Sequence, residues 1–123
     1  MSLERSKKRV VLIEEATCRM EEIRGQLSDE FSVRVVTSPF KLLSMLCTEK
    51  PDIIVLNSSV CWFHTGQFCG AINGTEALAG TPMVLYNTEN TSVHPGNVTQ
   101  FRNCHIVDDL GRLPETARRL VSR

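Results

Sequence analysis

An apolar run, Val10-Val11-Leu12-Ile13, ends in two adjacent carboxylates, Glu14 and Glu15. Like charges side by side cost free energy, and a hard cation or a salt bridge normally offsets them. The pair equally suits a solvent-facing turn or the neighbourhood of a helix N-terminus, and the sequence leaves both readings open. Other polar groups follow apolar runs in the same way: Asn57-Ser58-Ser59 after Ile53–Leu56, Asn87-Thr88 after Met83–Tyr86, and Asp108-Asp109 after His105–Val107. The five cysteines (Cys18, Cys47, Cys61, Cys69 and Cys104) are odd in number and lack CxxC spacing. They read as small buried hydrophobes of a reducing compartment. A zinc site from Cys61, His64, Cys69 and the Cys104-His105 pair can be drawn, but its spacing matches no common structural zinc pattern. His64 and His94 read as surface residues. Trp62 and Phe63 read either as a lid over the strand ends or as an aromatic anchor for a partner.

These residues need elements to place them. Val10–Ile13, Ile53–Leu56, Met83–Tyr86 and His105–Val107 are short runs rich in valine and isoleucine, which suits strands covered on both faces of a parallel sheet. Val33-Arg34-Val35-Val36 breaks that pattern with a charge and reads as an edge or half-exposed strand. Between the runs the period becomes helical. Met20, Ile23 and Leu27 form one stripe, interrupted by Gly25, which costs about 1 kcal/mol against alanine. Ser38-Pro39 signals a helix start, Leu42, Leu43, Leu46 and Cys47 supply its apolar face, and Pro51 ends it. Phe68 and Ile72 suggest a third, shorter helix, with Asn73-Gly74 as a turn. His94-Pro95-Gly96-Asn97 is a turn signal where a fourth helix belongs, so that helix is expected to be short or irregular. The last helix opens at Pro114-Glu115, carries Leu113, Ala117, Leu120 and Val121 as its stripe, and ends among arginines.

Strand–helix alternation predicts a single domain over residues 1–123, with residues 1–8 flexible. Its class is α/β: a three-layer α/β/α sandwich, flavodoxin-like, with a five-stranded parallel sheet in the order 2-1-3-4-5. In such a sheet ligands bind beyond the carboxyl ends of the strands, where Glu14-Glu15, Asn57, Asn87-Thr88 and Asp108-Asp109 fall. Fourteen basic and fourteen acidic side chains cancel, which argues against nucleic acid or an anionic membrane as partner. No apolar run approaches the ~18–20 residues that span a bilayer, and Val10–Ile13 is too short for a signal-peptide core. A cytoplasmic protein is expected.

The segments Arg9–Glu15, Pro51–Asn57, Thr81–Asn87 and Cys104–Asp108, in this order and spacing, resemble the strands of response-regulator receiver domains. The likeness runs from Arg9 to about Val121. It implies a two-component, phosphorelay signalling module that is not an enzyme. By resemblance, Glu14 and Glu15 are the acidic pair, Asn57 stands at the phosphoacceptor position, and Asn87 stands where the family has a threonine or serine. His105 stands at the aromatic switch position and Asp108 at that of an essential lysine. A shifted fifth strand would instead put Leu113 at the lysine position, and either register lacks the lysine.

The departures are chemical. In the family an aspartate attacks the phosphoryl donor and shares Mg²⁺ with the acidic pair, whereas an amide is a poor nucleophile and lacks the charge that binds the metal. Asn87 lacks a hydroxyl, for which Thr88 could partly substitute. Asp108 would repel a phosphoryl group, and with Glu14 and Glu15 it would make an acidic pocket without a compensating lysine. The expectation is therefore a degenerate pseudo-receiver with no cofactor beyond weak Mg²⁺ at Glu14 and Glu15, working through a protein partner. Restoring Asp at position 57 alone is not expected to restore a working switch. The face of the fourth helix, fifth strand and last helix is the expected docking or homodimer surface. Two alternatives remain open: a flavodoxin-like domain binding a nucleotide or small molecule, which the glycine-free Glu14–Cys18 turn disfavours, and phosphorylation at Ser58 or Ser59, for which no base is in view.

Overall fold

The computed structural model describes residues 7–15, 17–38, 41–58, 65–86 and 103–121. Five β-branched, apolar runs form strands: β1 (Lys8–Ile13), β2 (Phe31–Val36), β3 (Ile53–Asn57), β4 (Met83–Tyr86) and β5 (Cys104–Val107). Between them lie helices α1 (Thr17–Leu27), α2 (Leu42–Glu49) and α3 (Thr65–Gly74), and after β5 comes α4 (Leu113–Val121). All strand pairs are parallel and the order is β2-β1-β3-β4-β5, as the alternation of elements predicts. The expected short fourth helix, between β4 and β5, lies outside the described residues. Lys8, expected in a flexible lead-in, opens β1, and the Lys7 ammonium donates to the Ser28 carbonyl at 2.9 Å.

Side chains alternate across the sheet, so each strand feeds two cores. Val10, Leu12, Val55, Val84, Tyr86 and Val107 pack with Ile23 and Leu27 of α1 and with Leu113, Ala117 and Leu120 of α4. Val11, Ile13, Ile54, Leu56, Met83 and Leu85 pack on the other face with Leu42 and Leu46 of α2 and Cys69 and Ile72 of α3. The sheet is thus the middle of three layers. β2 lies at one end of it, and its outward Arg34 pairs with Glu49 of α2, a charge of the kind that blunts a strand edge. At the opposite end of the central strands, the Arg9 N–H donates to the Asp52 carboxylate (2.7 Å) while the Asp52 N–H donates to the Arg9 carbonyl (2.8 Å). That reciprocal pair fixes β1 against the start of β3.

Three local expectations are corrected. Ser38 is not the cap of α2: the helix starts at Leu42, after Lys41 in the left-handed region (φ 56°) with no side-chain cap. Pro39 lies outside the described residues. The frame of α2 is set by Leu42 and Leu46, four apart and buried, whereas Leu43 stays 40% exposed; packing of one stripe outweighs a capping preference. Asn73-Gly74 is the end of α3, not a turn beyond it, because Asn73 Nδ2 donates back to the Cys69 carbonyl at 3.1 Å. A 3₁₀ turn, Leu110–Arg112, precedes α4, and its cap is the Asp109 carboxylate, which accepts the Gly111 N–H at 2.9 Å. One carboxylate of the Asp108-Asp109 pair therefore has a structural role.

Gly25 lies inside α1, and a Cβ built there meets nothing within 4 Å. Gly25→Ala should therefore raise the unfolding free energy by about 0.5–1 kcal/mol. The urea midpoint should rise with an unchanged slope.

Candidate functional site

The carboxyl ends of β1 and β3 carry the acidic pair and Asn57, and the sheet register decides which of these side chains meet. Leu12 of β1 pairs with Val55 of β3, and Asn57 pairs with Tyr86 of β4, which in turn pairs with Val107 of β5. Glu14, two residues beyond Leu12, and Asn57, two beyond Val55, thus continue the same face of the sheet. Glu14, Asn57 and Tyr86 form one row over α1 and α4. Neighbouring strands are about 4.8 Å apart, so only a long side chain on β4 can reach β1, across Asn57. Tyr86 does so.

The Glu14 carboxylate is 0% exposed. Its Oε1 accepts from Asn57 Nδ2 (3.0 Å) and from the Tyr86 hydroxyl (2.5 Å). Its Oε2 accepts from Asn57 Nδ2 (3.0 Å) and from the Glu15 backbone N–H (2.9 Å). A buried carboxylate needs such donors, since an unpaired charge in an apolar interior costs several kcal/mol or more. Asn57 is itself 7% exposed, and only the amide nitrogen, not its oxygen, can face a carboxylate. Ser58 follows, buried, with its N–H bonded to the Tyr86 carbonyl at 2.9 Å.

The other predicted residues separate. Glu15 is exposed, so the acidic pair is split between core and solvent. Asp108 is exposed just past β5 and lines a groove of about 250 Å³ with His105, Ile106, Arg112, Thr116 and Arg119. Asn87, Thr88 and Ser59, together with Cys61, Trp62, Phe63, His64 and His94, lie outside the described residues. Among the described residues, no three His, Cys, Asp or Glu side chains gather in a way that could hold a metal ion. The acidic pocket expected from Glu14, Glu15 and Asp108 is thus not assembled among them. Mg²⁺ takes oxygen ligands at about 2.0–2.1 Å in near-octahedral geometry. The Glu14 oxygens instead face an amide N–H, a phenol O–H and a backbone N–H, so these residues as arranged do not fit the ion.

Two features escaped the sequence. Tyr86 read as the last residue of an apolar strand. The available signal was that it is the chain's single tyrosine, and a buried phenol normally finds a partner for its hydroxyl. The second feature is a thiol pair: Cys69 of α3 and Cys104 of β5, both buried and free, lie in the same core, where Cys104 Sγ donates to Met83 Sδ at 4.0 Å. The neighbouring Cys104 thiol, and then burial, push the Cys69 thiol well above its ordinary range. Such thiols behave as small core residues.

No family model and no curated protein matches this chain. Solved structures do match its fold. A chemotaxis response regulator of Vibrio cholerae superposes with a TM-score of 0.78 at 13% identity, covering 94% of this chain and 99% of that one. The receiver domain of a sensor histidine kinase from Pseudomonas aeruginosa, with a magnesium ion coordinated in its active-site cleft, gives a TM-score of 0.80 at 12% identity over 96% and 100%. The signal receiver domain of a DNA-binding response regulator from Colwellia psychrerythraea gives 0.80 at 18% identity over 95% and 100%. The chain has the flavodoxin-like fold of these receiver domains over nearly its whole length.

Burial first, and then the hydrogen bond to the Glu14 carboxylate, raise the Tyr86 phenol well above its ordinary value of 10.0. The stability this contributes is whole below pH ~10 and is lost as the pH climbs beyond it, because the unfolded chain then releases a proton that the folded one keeps. Tyrosinate absorbance reports Tyr86 alone, and it should rise together with the loss of folded circular dichroism, not before it. Tyr86→Phe should lower the unfolding free energy in urea at neutral pH by about 1–3 kcal/mol, since it removes a donor from a buried charge.

Proposed function

We propose that the chain is a receiver-like module of a two-component signalling pathway that takes no phosphoryl group and acts by binding a protein partner. The observation that carries this reading is the Asn57 amide held against the buried Glu14 carboxylate at 3.0 Å. Phosphoryl transfer to a side chain needs a nucleophile open to the donor and positive charge to meet the incoming phosphate. Position 57 offers an amide, which is a poor nucleophile, and that amide is turned inward. The resemblance puts Asp108, or in the shifted register Leu113, where a lysine would supply the positive charge, and Asp108 is exposed beside arginines of α4 and its lead-in turn.

A module without this chemistry must act through its surface. The groove between β5 and α4 supports such a role, since half-buried Ile106 and the exposed Arg112 and Arg119 all line it. Arg112, in the 3₁₀ turn, and Arg119, in α4, give the groove a basic wall that suits carboxylates of a partner. The same face serves a second copy of the chain equally well in charge, because Asp108 lies beside the two arginines.

Incubation with acetyl phosphate and Mg²⁺, followed by intact-mass measurement, tests the reading. The expected result is unmodified protein at every donor concentration. A stoichiometric phosphoryl adduct on the wild-type chain, removed by hydroxylamine, would sink it.

A further inference from the structure

We infer that Asn57 and Tyr86 occupy, from within the protein, the place of a divalent cation beside Glu14, so that the native chain is complete without Mg²⁺. The inference rests on the reading of the site as one without phosphoryl transfer, and deepens it. An acidic pair at the end of a central strand calls for positive charge or for hydrogen-bond donors. Here donors meet it. The Asn57 amide bridges both Glu14 oxygens at 3.0 Å, and the Tyr86 hydroxyl caps Oε1 at 2.5 Å. The Glu15 N–H takes Oε2 at 2.9 Å, and the carboxylate has no exposure to solvent. A cation reaching Glu14 would have to displace the phenol and turn the amide. The turned amide would then gain one oxygen ligand and lose two hydrogen bonds.

The two residues cooperate through the sheet register. Asn57 and Tyr86 are cross-strand partners, so the ring of Tyr86 lies over Asn57 in reaching Glu14. Each limits the room of the other. Asn57 is the only neutral replacement of aspartate that keeps the shape and supplies an N–H at this point. Tyr86 is long enough to span from β4 to β1, where a valine or threonine would leave a gap beside Oε1. The two substitutions therefore act as one device. Reversing the first alone should leave a carboxylate facing Glu14 under a phenol that still claims one of its oxygens.

The experiment is thermal unfolding of the full chain in EDTA and in MgCl₂ at matched ionic strength. It compares wild type, Asn57→Asp, Tyr86→Phe and Asn57→Asp with Tyr86→Phe. Wild type and Tyr86→Phe should melt at the same temperature in both buffers. Asn57→Asp sets two carboxylates against each other, so its Tm in EDTA should fall by at least about 5 °C, and saturating Mg²⁺ should restore part of that loss. The double variant should recover more with Mg²⁺ than Asn57→Asp does, because the phenol no longer competes for Glu14. If the double variant does not fold, a Mg²⁺ response of Asn57→Asp beside an inert wild type still supports the inference. Saturable stabilisation of wild type by Mg²⁺ would overturn it, as would an Asn57→Asp chain indifferent to both the charge and the ion. A Mg²⁺-stabilised wild type that takes no phosphoryl group overturns this inference alone. A phosphoryl adduct on wild type overturns the reading beneath it.

Discussion

A carboxylate wholly removed from water sits at the end of the interior strand β1, and the fold around it is constrained to answer that charge. Among the described residues the answer comes from neutral donors on separate stretches of chain: Asn57 of β3, Tyr86 of β4 and the backbone N–H of Glu15. Each donor is in place only if β1, β3 and β4 lie side by side in the observed register. A slip of one residue in β3 would turn Asn57 to the opposite face and bring Ser58 or Leu56 to Glu14. The loss would include the full cost of an unsatisfied buried charge. Sheet order, strand register and the burial of one glutamate are therefore a single requirement, and the apolar contacts of the two cores need only be compatible with it.

The same arrangement separates two carboxylates that are adjacent in sequence. Strand alternation sends Glu14 inward, and Glu15, on the next residue, is exposed. Pointing the two side chains to opposite faces of the strand lowers their mutual repulsion. Each Glu14 oxygen accepts two hydrogen bonds, and the Asn57 amide N–H and the Tyr86 hydroxyl are committed to them. Charge that could attract a partner lies instead at the rim of the sheet, with Arg112 and Arg119 beside β5 and Arg34 and Glu49 beside β2.

Much of this could be read from the sequence, and the part that could not has a common cause. Runs such as Ile53–Leu56 and Met83–Tyr86 announce strands because every position is apolar. The stripe of Leu113, Ala117 and Leu120 announces α4, and the parallel order follows from the handedness of crossovers. Position 57 was visible as a strand end with an amide in it. Its partners were not, because a hydrogen bond from Tyr86 to Glu14 joins residues 72 apart across an intervening strand, and no local pattern encodes that reach. The Cys69–Cys104 pair and the start of α2 at Leu42 escaped for the same reason, since both are decided by what the finished cores place in contact. Asp109, at a strand end where a ligand group would fall, instead caps a turn, a use that the short Asp109–Gly111 spacing permits.

Tyr86 joins the site to the surface. Its hydroxyl is fixed by Glu14, and its ring packs in the same core as Val107 of β5 and Leu113, Ala117 and Leu120 of α4. Val107 is its cross-strand partner and also lines the groove that holds Arg112 and Arg119. Close-packed interiors do not deform continuously, so a ring held at both ends leaves Val107 and the buried stripe of α4 one position to occupy. The inner wall of the groove is thus the outer wall of the site. If, as proposed, the site exchanges no ligand, the chain presents that groove in one form, set in part by the donors that Asn57, Tyr86 and the Glu15 backbone give to Glu14.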